Sequence, residues 1–298
     1  MALNRSQRID MFKLLKMRKM NKPEIEKTID IKASFKKSDS KIVRSLPGFI
    51  VRFLEKVIHQ DDMNYSIYQN KDLSGIPFVN GILDLWKVKI EVLGGENIPA
   101  SGRFIFVANH PVGGMDSLSF LSAIARFYPD VISPSNQIFQ YIPNLHPVIL
   151  GVNVFGMNTK ETADKLNQLF ESDAQIMIFP AGEVSRRKNG VISDTVWQKT
   201  FVTKAVQNNR DIIPVHISGR NSNNFYFIAN LRKLFGIKTF IETILLPSEM
   251  MKQKNSTFTL TFGKVIPYQC ITKDKSHKEW AQEIRNCVYQ IPTNQKND

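Results

Sequence analysis

The sequence predicts an α/β protein in which a mostly parallel sheet is flanked by helices. Short apolar runs typical of buried strands alternate along the chain with segments whose apolar residues recur at helical spacing. Such alternation favours a parallel sheet with helices packed on its faces. The composition, 42% hydrophobic and 22% charged residues among 298, is that of a globular protein. No apolar run approaches the roughly 18 residues that suggest a membrane span.

Residues 1–44 form a basic N-terminal arm that we expect to be partly mobile. They hold thirteen Lys/Arg and five Asp/Glu, so +8 of the net charge of +13 lies there. This charge indicates an anionic partner, which could be nucleic acid, a membrane leaflet or an anionic substrate. Residues 1–20 could form an amphipathic helix at a membrane surface, a frayed extension, or an extension ahead of a start at Met20. Residues 21–41 are lysine-rich and predict a mobile linker.

Residues 45–84 are expected to be a helical segment. Ser45 can cap a helix, Pro47 suits the first turn, and apolar residues follow at three-four spacing as far as Ile58. Such a stripe packs on its own domain more often than on a membrane. Residues 59–62 (HQDD) place a histidine beside acids, but no strand or glycine turn presents them, so a solvated helix end is the better interpretation.

Residues 85–298 are predicted to form the α/β domain itself. Strands are predicted at 88–93, 104–108, 131–133, 148–155, 175–179, 212–217 and 257–262, and helices at 117–128, 159–170, 197–206, 225–235 and 278–289. The two cysteines, Cys270 and Cys287, lack the spacing of metal ligands, which favours reduced thiols in a cytoplasmic protein. We expect no metal site.

The loop 109–116 (NHPVGGMD) is the first candidate for chemistry. It follows the buried run 104–108, and ligands of open α/β sheets bind at the carboxyl ends of strands. A neutral histidine there, His110, can take a proton from a hydroxyl as it attacks an acyl carbonyl, and a nearby carboxylate, Asp116, can hold the imidazole and stabilise its charged form. No Gly-x-Ser-x-Gly elbow occurs, so a serine nucleophile is not expected.

The loop 179–188 (FPAGEVSRRK) is the second candidate. It carries Glu183, Arg186 and Arg187 after a Pro-Ala-Gly turn. Arginine forks bind phosphate or carboxylate in a bidentate way, although a solvated basic turn explains the same residues equally well. One histidine and one acid in a loop are also common by chance, so neither loop is specific when taken alone.

Four sequence blocks together resemble the glycerolipid acyltransferases, the family of the lysophosphatidic acid acyltransferases. They occur in the family's order over roughly residues 85–265. The blocks are matched by Asn109, His110 and Asp116; by residues 151–156 (GVNVFG); by Phe179, Pro180, Gly182, Ser185 and Arg186; and by Ile213, Pro214 and Val215. The resemblance implies the glycerolipid acyltransferase fold, here with an N-terminal helical extension.

The chain departs from the family pattern at two places. Five residues rather than four separate His110 from Asp116, and Gly113 with Gly114 could absorb the extra one as a loose turn. Ala181 stands where the family usually has a glutamate, and Glu183 lies two positions later. These features resemble a subgroup called hemolysin-like, which includes the O-acyltransferases of glycine lipids and ornithine lipids.

The resemblance implies a reaction and a set of substrate-binding residues. His110 would act as general base on the hydroxyl of a mono-acylated amino-acid lipid, lyso-glycine or lyso-ornithine lipid, with Asp116 orienting it. The acyl donor would be a thioester of acyl carrier protein or coenzyme A, and no cofactor is expected. The residues that the resemblance implies to bind the acceptor are Asn109, Gly182, Glu183, Ser185, Arg186 and Arg187. Asn109 could instead be a structural residue that ends the strand. The enzyme would be peripheral, on an anionic membrane surface at the cytoplasmic face of the inner membrane.

The sequence leaves three rival functions open. Acylation of lysophosphatidic acid, as a 1-acylglycerol-3-phosphate O-acyltransferase, uses the same chemistry, and the altered third block argues against it. A membrane-disrupting hemolysin is a remote alternative, because neither a signal peptide nor a spanning segment is predicted. A nucleic-acid binder would also use the basic arm, but no nucleic-acid motif accompanies the charge, so we expect no nucleic-acid partner.

Overall fold

A seven-stranded sheet forms the centre of the computed structural model, which describes residues 27–153, 159–236 and 241–292. The strands are Lys89–Leu93 (β1), Phe104–Ala108 (β2), Val131–Asn136 (β3), Ile149–Val152 (β4), Gln175–Ile178 (β5), Arg186–Lys188 (β6), Val191–Ser193 (β7), Asp211–Ile217 (β8) and Thr257–Phe262 (β9). The sheet has the order β1-β9-β8-β2-β5-β3-β4, and β6 and β7 form a separate hairpin. All neighbours in the sheet are parallel except β8 and β9. The predicted fold class is therefore confirmed.

Helices cover both faces of this sheet. They are Ile31–Lys36 (α1), Lys41–Arg44 (α2), Gly48–Val57 (α3), Gln60–Gln69 (α4), Gly75–Leu85 (α5), Gly114–Ala125 (α6), Lys160–Glu171 (α7), Thr200–Gln207 (α8), Asn223–Leu234 (α9), Leu246–Met251 (α10) and His277–Gln290 (α11). Short 3-10 helices lie at Gly95–Asn97, Gln137–Tyr141, Pro143–Leu145, Ile241–Leu245 and Tyr268–Cys270. In the described part of the chain, no helix has the length and apolar composition to cross a bilayer.

Strand β2 lies in the middle of the sheet and is buried along its whole length. It pairs with β5 on one side and with β8 on the other. Successive side chains of a strand point to opposite faces. Accordingly Phe104, Phe106 and Ala108 join the core that contains α5 and α6, whereas Ile105 and Val107 join the core that contains α8 and α11. A strand buried on both faces needs a continuous apolar sequence, which is what predicted it.

Helix α6 begins three residues earlier than the predicted range 117–128. Gly113 precedes it with φ of 118°, a conformation that side-chain-bearing residues rarely adopt. The Asp116 carboxylate accepts the Gly113 backbone N–H at 2.9 Å, which satisfies a donor at the helix start. Gly113 thus makes the turn into α6, and Asp116 becomes part of the first helical turn.

The N-terminal region contains more structure than its composition predicted. Helices α1 and α2 lie within the range expected to be linker and arm, and α1 is fastened to α4: the Ile31 N–H donates to Gln60 Oε1 at 2.9 Å. Ser45 does not cap the next helix, because α3 begins at Gly48 and Pro47 occupies its N-cap. Residues 1–26, with the expected amphipathic helix, lie outside the described residues.

The apolar stripe of α3 packs on its own domain only in part. Val51 is buried, but Phe49 and Phe53 are 67% and 63% exposed, so the expected packing is wrong for these two rings. His59 lies at the N-cap of α4 with Nδ1 3.3 Å from Asp62. Both side chains are solvent-accessible, which agrees with the interpretation of residues 59–62 as a solvated helix end.

The β6–β7 hairpin was not predicted, although its turn has a sequence signal. Asn189 and Gly190 connect the strands, and both have positive φ angles, 51° and 80°. Two positive φ angles are required in the tight turn that joins antiparallel strands, and Asn-Gly is its commonest sequence. The hairpin holds Arg186 and Arg187 in a strand rather than in a free loop. Of the second sequence block, residues 154–156 fall among the undescribed residues 154–158.

Candidate active site

The His110 and Asp116 side chains meet at the carboxyl end of β2. His110 Nδ1 lies 3.1 Å from Asp116 Oδ2. The same carboxylate oxygen accepts the backbone N–H groups of Val112 at 2.7 Å and Gly113 at 2.9 Å. The tautomer with its hydrogen on Nδ1 donates a third hydrogen bond to this oxygen and leaves Nε2 with a lone pair.

The imidazole is held rigidly and is reachable from outside. Phe179 stacks on it with ring centroids 4.0 Å apart and planes at 19°. Asp116 is fully buried, whereas 16% of the His110 side chain is exposed. Within residues 27–153, 159–236 and 241–292 no hydrogen-bond partner is found for Nε2. The pair thus has the geometry of a histidine base with a carboxylate behind it.

Asn109 fastens the end of β2 to the end of β8. Its amide nitrogen donates to the Ile217 carbonyl at 2.9 Å, and its amide oxygen accepts the Ile217 N–H at 2.7 Å. The side chain is 3% exposed. Because both ends of the amide are used within the protein, we interpret Asn109 as a residue that positions His110 rather than one that contacts the acceptor.

Asp194 is a residue of the site that the sequence did not reveal. Its Oδ1 accepts the His110 backbone N–H at 3.1 Å and the Ser185 hydroxyl at 2.6 Å, and its Oδ2 accepts the Trp197 indole N–H at 2.9 Å. Burial raises the pKa of the Asp194 carboxyl, although these hydrogen bonds act in the opposite direction. No motif marks this aspartate, because its partners come from three separate loops.

Ser185 belongs to the frame of the site. Its hydroxyl is bound to Asp194, its backbone N–H donates to the His110 carbonyl at 2.7 Å, and it is 2% exposed. His110 is therefore held on both backbone groups, by Ser185 and by Asp194. We interpret the block Phe179–Arg186 mainly as a support for the histidine, since Phe179 covers the ring and Ser185 holds the main chain.

Arg186 is buried in a network of ion pairs. Its guanidinium lies 2.9 Å from Glu183 and 3.1 Å from Glu242, and Glu242 also binds Arg232 at 2.8 Å. The Phe225 ring covers the guanidinium at 5.6 Å. Arg186 is 5% exposed, and its charge is engaged by carboxylates inside the protein. Its expected role in holding the acceptor stays a prediction.

The two remaining expected residues of this loop that reach solvent are Gly182 and Arg187. Gly182 is exposed with φ of 69°, so a side chain there would be strained. The Glu183 side chain is 22% exposed, and it is held by Thr195, which donates to it at 3.0 Å, and by its ion pair with Arg186. The Arg187 guanidinium lies 3.1 Å from Asn223 Oδ1 and 5.5 Å from the centre of the Tyr226 ring.

Comparisons with known proteins match this chain to lipid acyltransferases. A family model described as acyltransferase matches residues 34–296. A lyso-glycine lipid O-acyltransferase of Bacteroides thetaiotaomicron is 38% identical over 264 residues, which is 88% of this chain and 97% of that protein. Its counterpart in Phocaeicola vulgatus is 37% identical over 88% of this chain and 95% of its own length. A 1-acyl-sn-glycerol-3-phosphate acyltransferase of Borreliella burgdorferi is 30% identical over 53% of this chain and 62% of its own.

Proposed function

The chain belongs to the acyltransferase family that includes the lyso-glycine lipid O-acyltransferases, and from this premise we propose that it acylates lyso-glycine lipid. The enzyme transfers acyl groups; the proposed acceptor is the hydroxyl of a mono-acylated glycine lipid, and the product is a diacyl lipid. The observation that carries the proposal is the 38% identity that extends over 97% of a lyso-glycine lipid O-acyltransferase.

The His110–Asp116 pair supplies the proposed mechanism. Nε2 of His110 takes the proton of the acceptor hydroxyl while its oxygen attacks the carbonyl carbon of an acyl thioester. The tetrahedral intermediate collapses, the C–S bond breaks, and the thiolate takes the proton back from the imidazolium. Asp116, 3.1 Å from Nδ1, fixes the tautomer and stabilises the imidazolium while it carries that proton. Acyl transfer is direct, without a covalent enzyme intermediate.

The proposed acyl donor is a thioester of acyl carrier protein or of coenzyme A. Both present the same reacting group, so His110 treats them alike. Feeding purified protein with each donor in turn identifies the carrier. The test is release of free thiol that depends on the acceptor lipid.

We further propose that the protein works on an anionic membrane surface, at the cytoplasmic face of the inner membrane. Phe49, Phe53 and Ile42 are 67%, 63% and 80% exposed. They lie on α2 and α3 among exposed cations, Lys41, Arg44, Arg52 and Lys56. Exposed apolar side chains that alternate along the chain with lysine and arginine suit the boundary between acyl chains and anionic head groups. A lyso-lipid acceptor resides in that layer.

The central test compares three acceptors with purified protein: lyso-glycine lipid, lyso-ornithine lipid and lysophosphatidic acid. We expect turnover of lyso-glycine lipid with either donor and loss of that turnover in His110→Ala. Turnover of lysophosphatidic acid alone would refute the proposal in favour of the second candidate, which the partial match to the Borreliella burgdorferi enzyme supports. Turnover of lyso-ornithine lipid alone would assign a different amino-acid head group.

The membrane proposal is tested separately by sedimentation with vesicles of phosphatidylcholine and phosphatidylglycerol. Burying a phenylalanine is worth about 1.5–3 kcal/mol, so Phe49→Ser with Phe53→Ser should weaken binding at least about tenfold. Val191→Ser is the matched control, because Val191 is 65% exposed at the hairpin tip. Equal binding of both variants would show that α3 does not contact the membrane.

A further inference from the structure

Two accessible arginines from separate segments converge on one side-chain oxygen. Arg187 of β6 donates to Asn223 Oδ1 at 3.1 Å, and Arg220, which follows β8, donates to the same oxygen. Their guanidinium carbons lie 5.5 and 6.0 Å from the centre of the Tyr226 ring. In the described part of the chain neither arginine lies in an ion pair with a carboxylate, in contrast to Arg186.

Both arginines lie on segments that hydrogen-bond to the Asn109–His110 segment. Ser185 donates to the His110 carbonyl at 2.7 Å, and Arg187 is two residues further along. Asn109 binds Ile217, and Arg220 is three residues further along. Two or three extended residues span at most about 7–11 Å, so the backbone of each arginine lies within that reach of its anchor. Both arginines therefore follow closely, along the chain, the residues that hold the Asn109–His110 segment in place.

A buried amide beside Arg220 provides an independent observation. Asn221 is 1% exposed, yet among the described residues neither its amide oxygen nor its amide nitrogen has a hydrogen-bond partner. Buried polar groups are nearly always paired, and leaving one unpaired costs roughly 1–3 kcal/mol. The Asn221 amide is therefore an uncompensated polar group directly after Arg220 in the chain.

Tyr226 connects the backbone of Asn221 to both arginines. Its hydroxyl accepts the Asn221 backbone N–H at 3.1 Å. Burial raises the pKa of the Tyr226 phenol; among the surrounding charges Arg220 lowers it and Asp116 raises it. The two arginines and the backbone of Asn221 therefore meet at the Tyr226 side chain.

We propose that Arg187 and Arg220 together bind the carboxylate of the acceptor lipid, with the Asn221 amide as an additional hydrogen-bonding group. N-acylation of glycine leaves its carboxylate free, and guanidinium forks match a carboxylate in geometry and charge. Asn223 and Tyr226 hold the two cations close together although they repel, and an anion between them relieves that repulsion. This assignment rests on the proposed function and refines it, since Arg220 takes the place expected for Arg186.

The test compares lyso-glycine lipid with its methyl ester, which removes the negative charge and keeps the hydroxyl. We expect wild-type kcat/KM to favour the acid by about 10- to 100-fold, the size of a charge-assisted hydrogen bond. In Arg220→Gln this preference should fall below about threefold, through a higher KM for the acid and with kcat nearly unchanged. Arg187→Gln should act in the same direction, and Arg126→Gln, an exposed arginine on the far end of α6, should retain the preference.

The outcomes separate this assignment from the function on which it rests. If the wild type acylates lyso-glycine lipid but folded Arg220→Gln and Arg187→Gln both keep the preference for the acid, the carboxylate site is overturned and the proposed function stands. If the wild type acylates no lyso-glycine lipid, both fail. If the two variants lose only turnover of lysophosphatidic acid, the pair binds phosphate and the carboxylate assignment is overturned. Thermal unfolding of each variant verifies that it is folded.

Discussion

Replacement of Asp116 by asparagine tests the proposed chemistry most directly. The substitution keeps the shape of the side chain and removes its charge. Asparagine can still accept the backbone N–H groups of Val112 and Gly113 through its amide oxygen. What it loses is the attraction between a carboxylate and the imidazolium that forms when His110 takes the proton of the acceptor.

The size of that loss follows from the geometry. Two unit charges 3.1 Å apart attract by about 5 kcal/mol at an effective dielectric constant of about 20. Each 1.4 kcal/mol is about a factor of ten, so kcat should fall by about 10³- to 10⁴-fold. Because the charge exists only after proton transfer, kcat and kcat/KM should fall together. The free energy of unfolding should change by less than about 2 kcal/mol, since both backbone hydrogen bonds survive.

The assay measures acceptor-dependent thiol release at saturating lyso-glycine lipid, with the thermal midpoint recorded alongside. Asp62→Asn is a matched control, because Asp62 pairs with His59 at 3.3 Å on an exposed helix end. It should leave kcat unchanged. A folded Asp116→Asn enzyme that retains more than about a tenth of wild-type kcat would refute the reasoning, because a charged partner worth that little cannot be what activates His110.

Two further predictions concern stability. Arg210 is fully buried, burial lowers its pKa to about 10, and its guanidinium donates to the carbonyls of Phe170, Ala174 and Ser172. Arg210→Met should therefore destabilise the protein by about 3 kcal/mol or more in urea unfolding, and a smaller loss than about 1 kcal/mol would contradict the arrangement. Burial lowers the pKa of His216 below its ordinary value of 6.5. Between the lowered pKa and 6.5, the unfolded chain therefore binds a proton on His216 that the folded protein does not bind. The free energy of unfolding thus falls as the pH drops through that range. Between about pH 7.5 and 5.5 the wild type should lose up to about 1.4 kcal/mol more than His216→Gln, and equal losses would show that His216 is not buried in its neutral form.

The order of elements in the α/β domain could be predicted because the signals are local. A strand buried on both faces must be apolar along its length, so β2 is visible as residues 104–108, and β9 coincides with its predicted range. Where two local signals conflict, the observed end of an element differs from the predicted one. Helix α6 begins at Gly114 rather than at residue 117, because the Gly113 turn and the Asp116 cap extend the helix backwards.

The N-terminal region shows the opposite situation. A lysine-rich composition predicts a linker, but Ile31 of α1 is hydrogen-bonded to Gln60, and Ile29 just before the helix to Asn64, more than twenty-five residues away in the chain. The exposed Phe49 and Phe53 are a second example. Apolar spacing predicts that a helix forms, but whether another part of the protein packs on its apolar side depends on elements far away in the chain. Composition cannot supply either fact.

The sequence was sufficient for the fold class, the acyltransferase resemblance and the His110–Asp116 pair, because a strand end and two residues separated by five others are local features. It was insufficient for the basic residues around them. Arg186 and Arg187 are neighbours in the chain, but successive residues of a strand point to opposite faces, so one is buried against Glu242 and the other lies beside Asn223. Arg220 joins Arg187 only because β8 and the hairpin are brought together by folding. Which charges meet in space was decided by the tertiary structure.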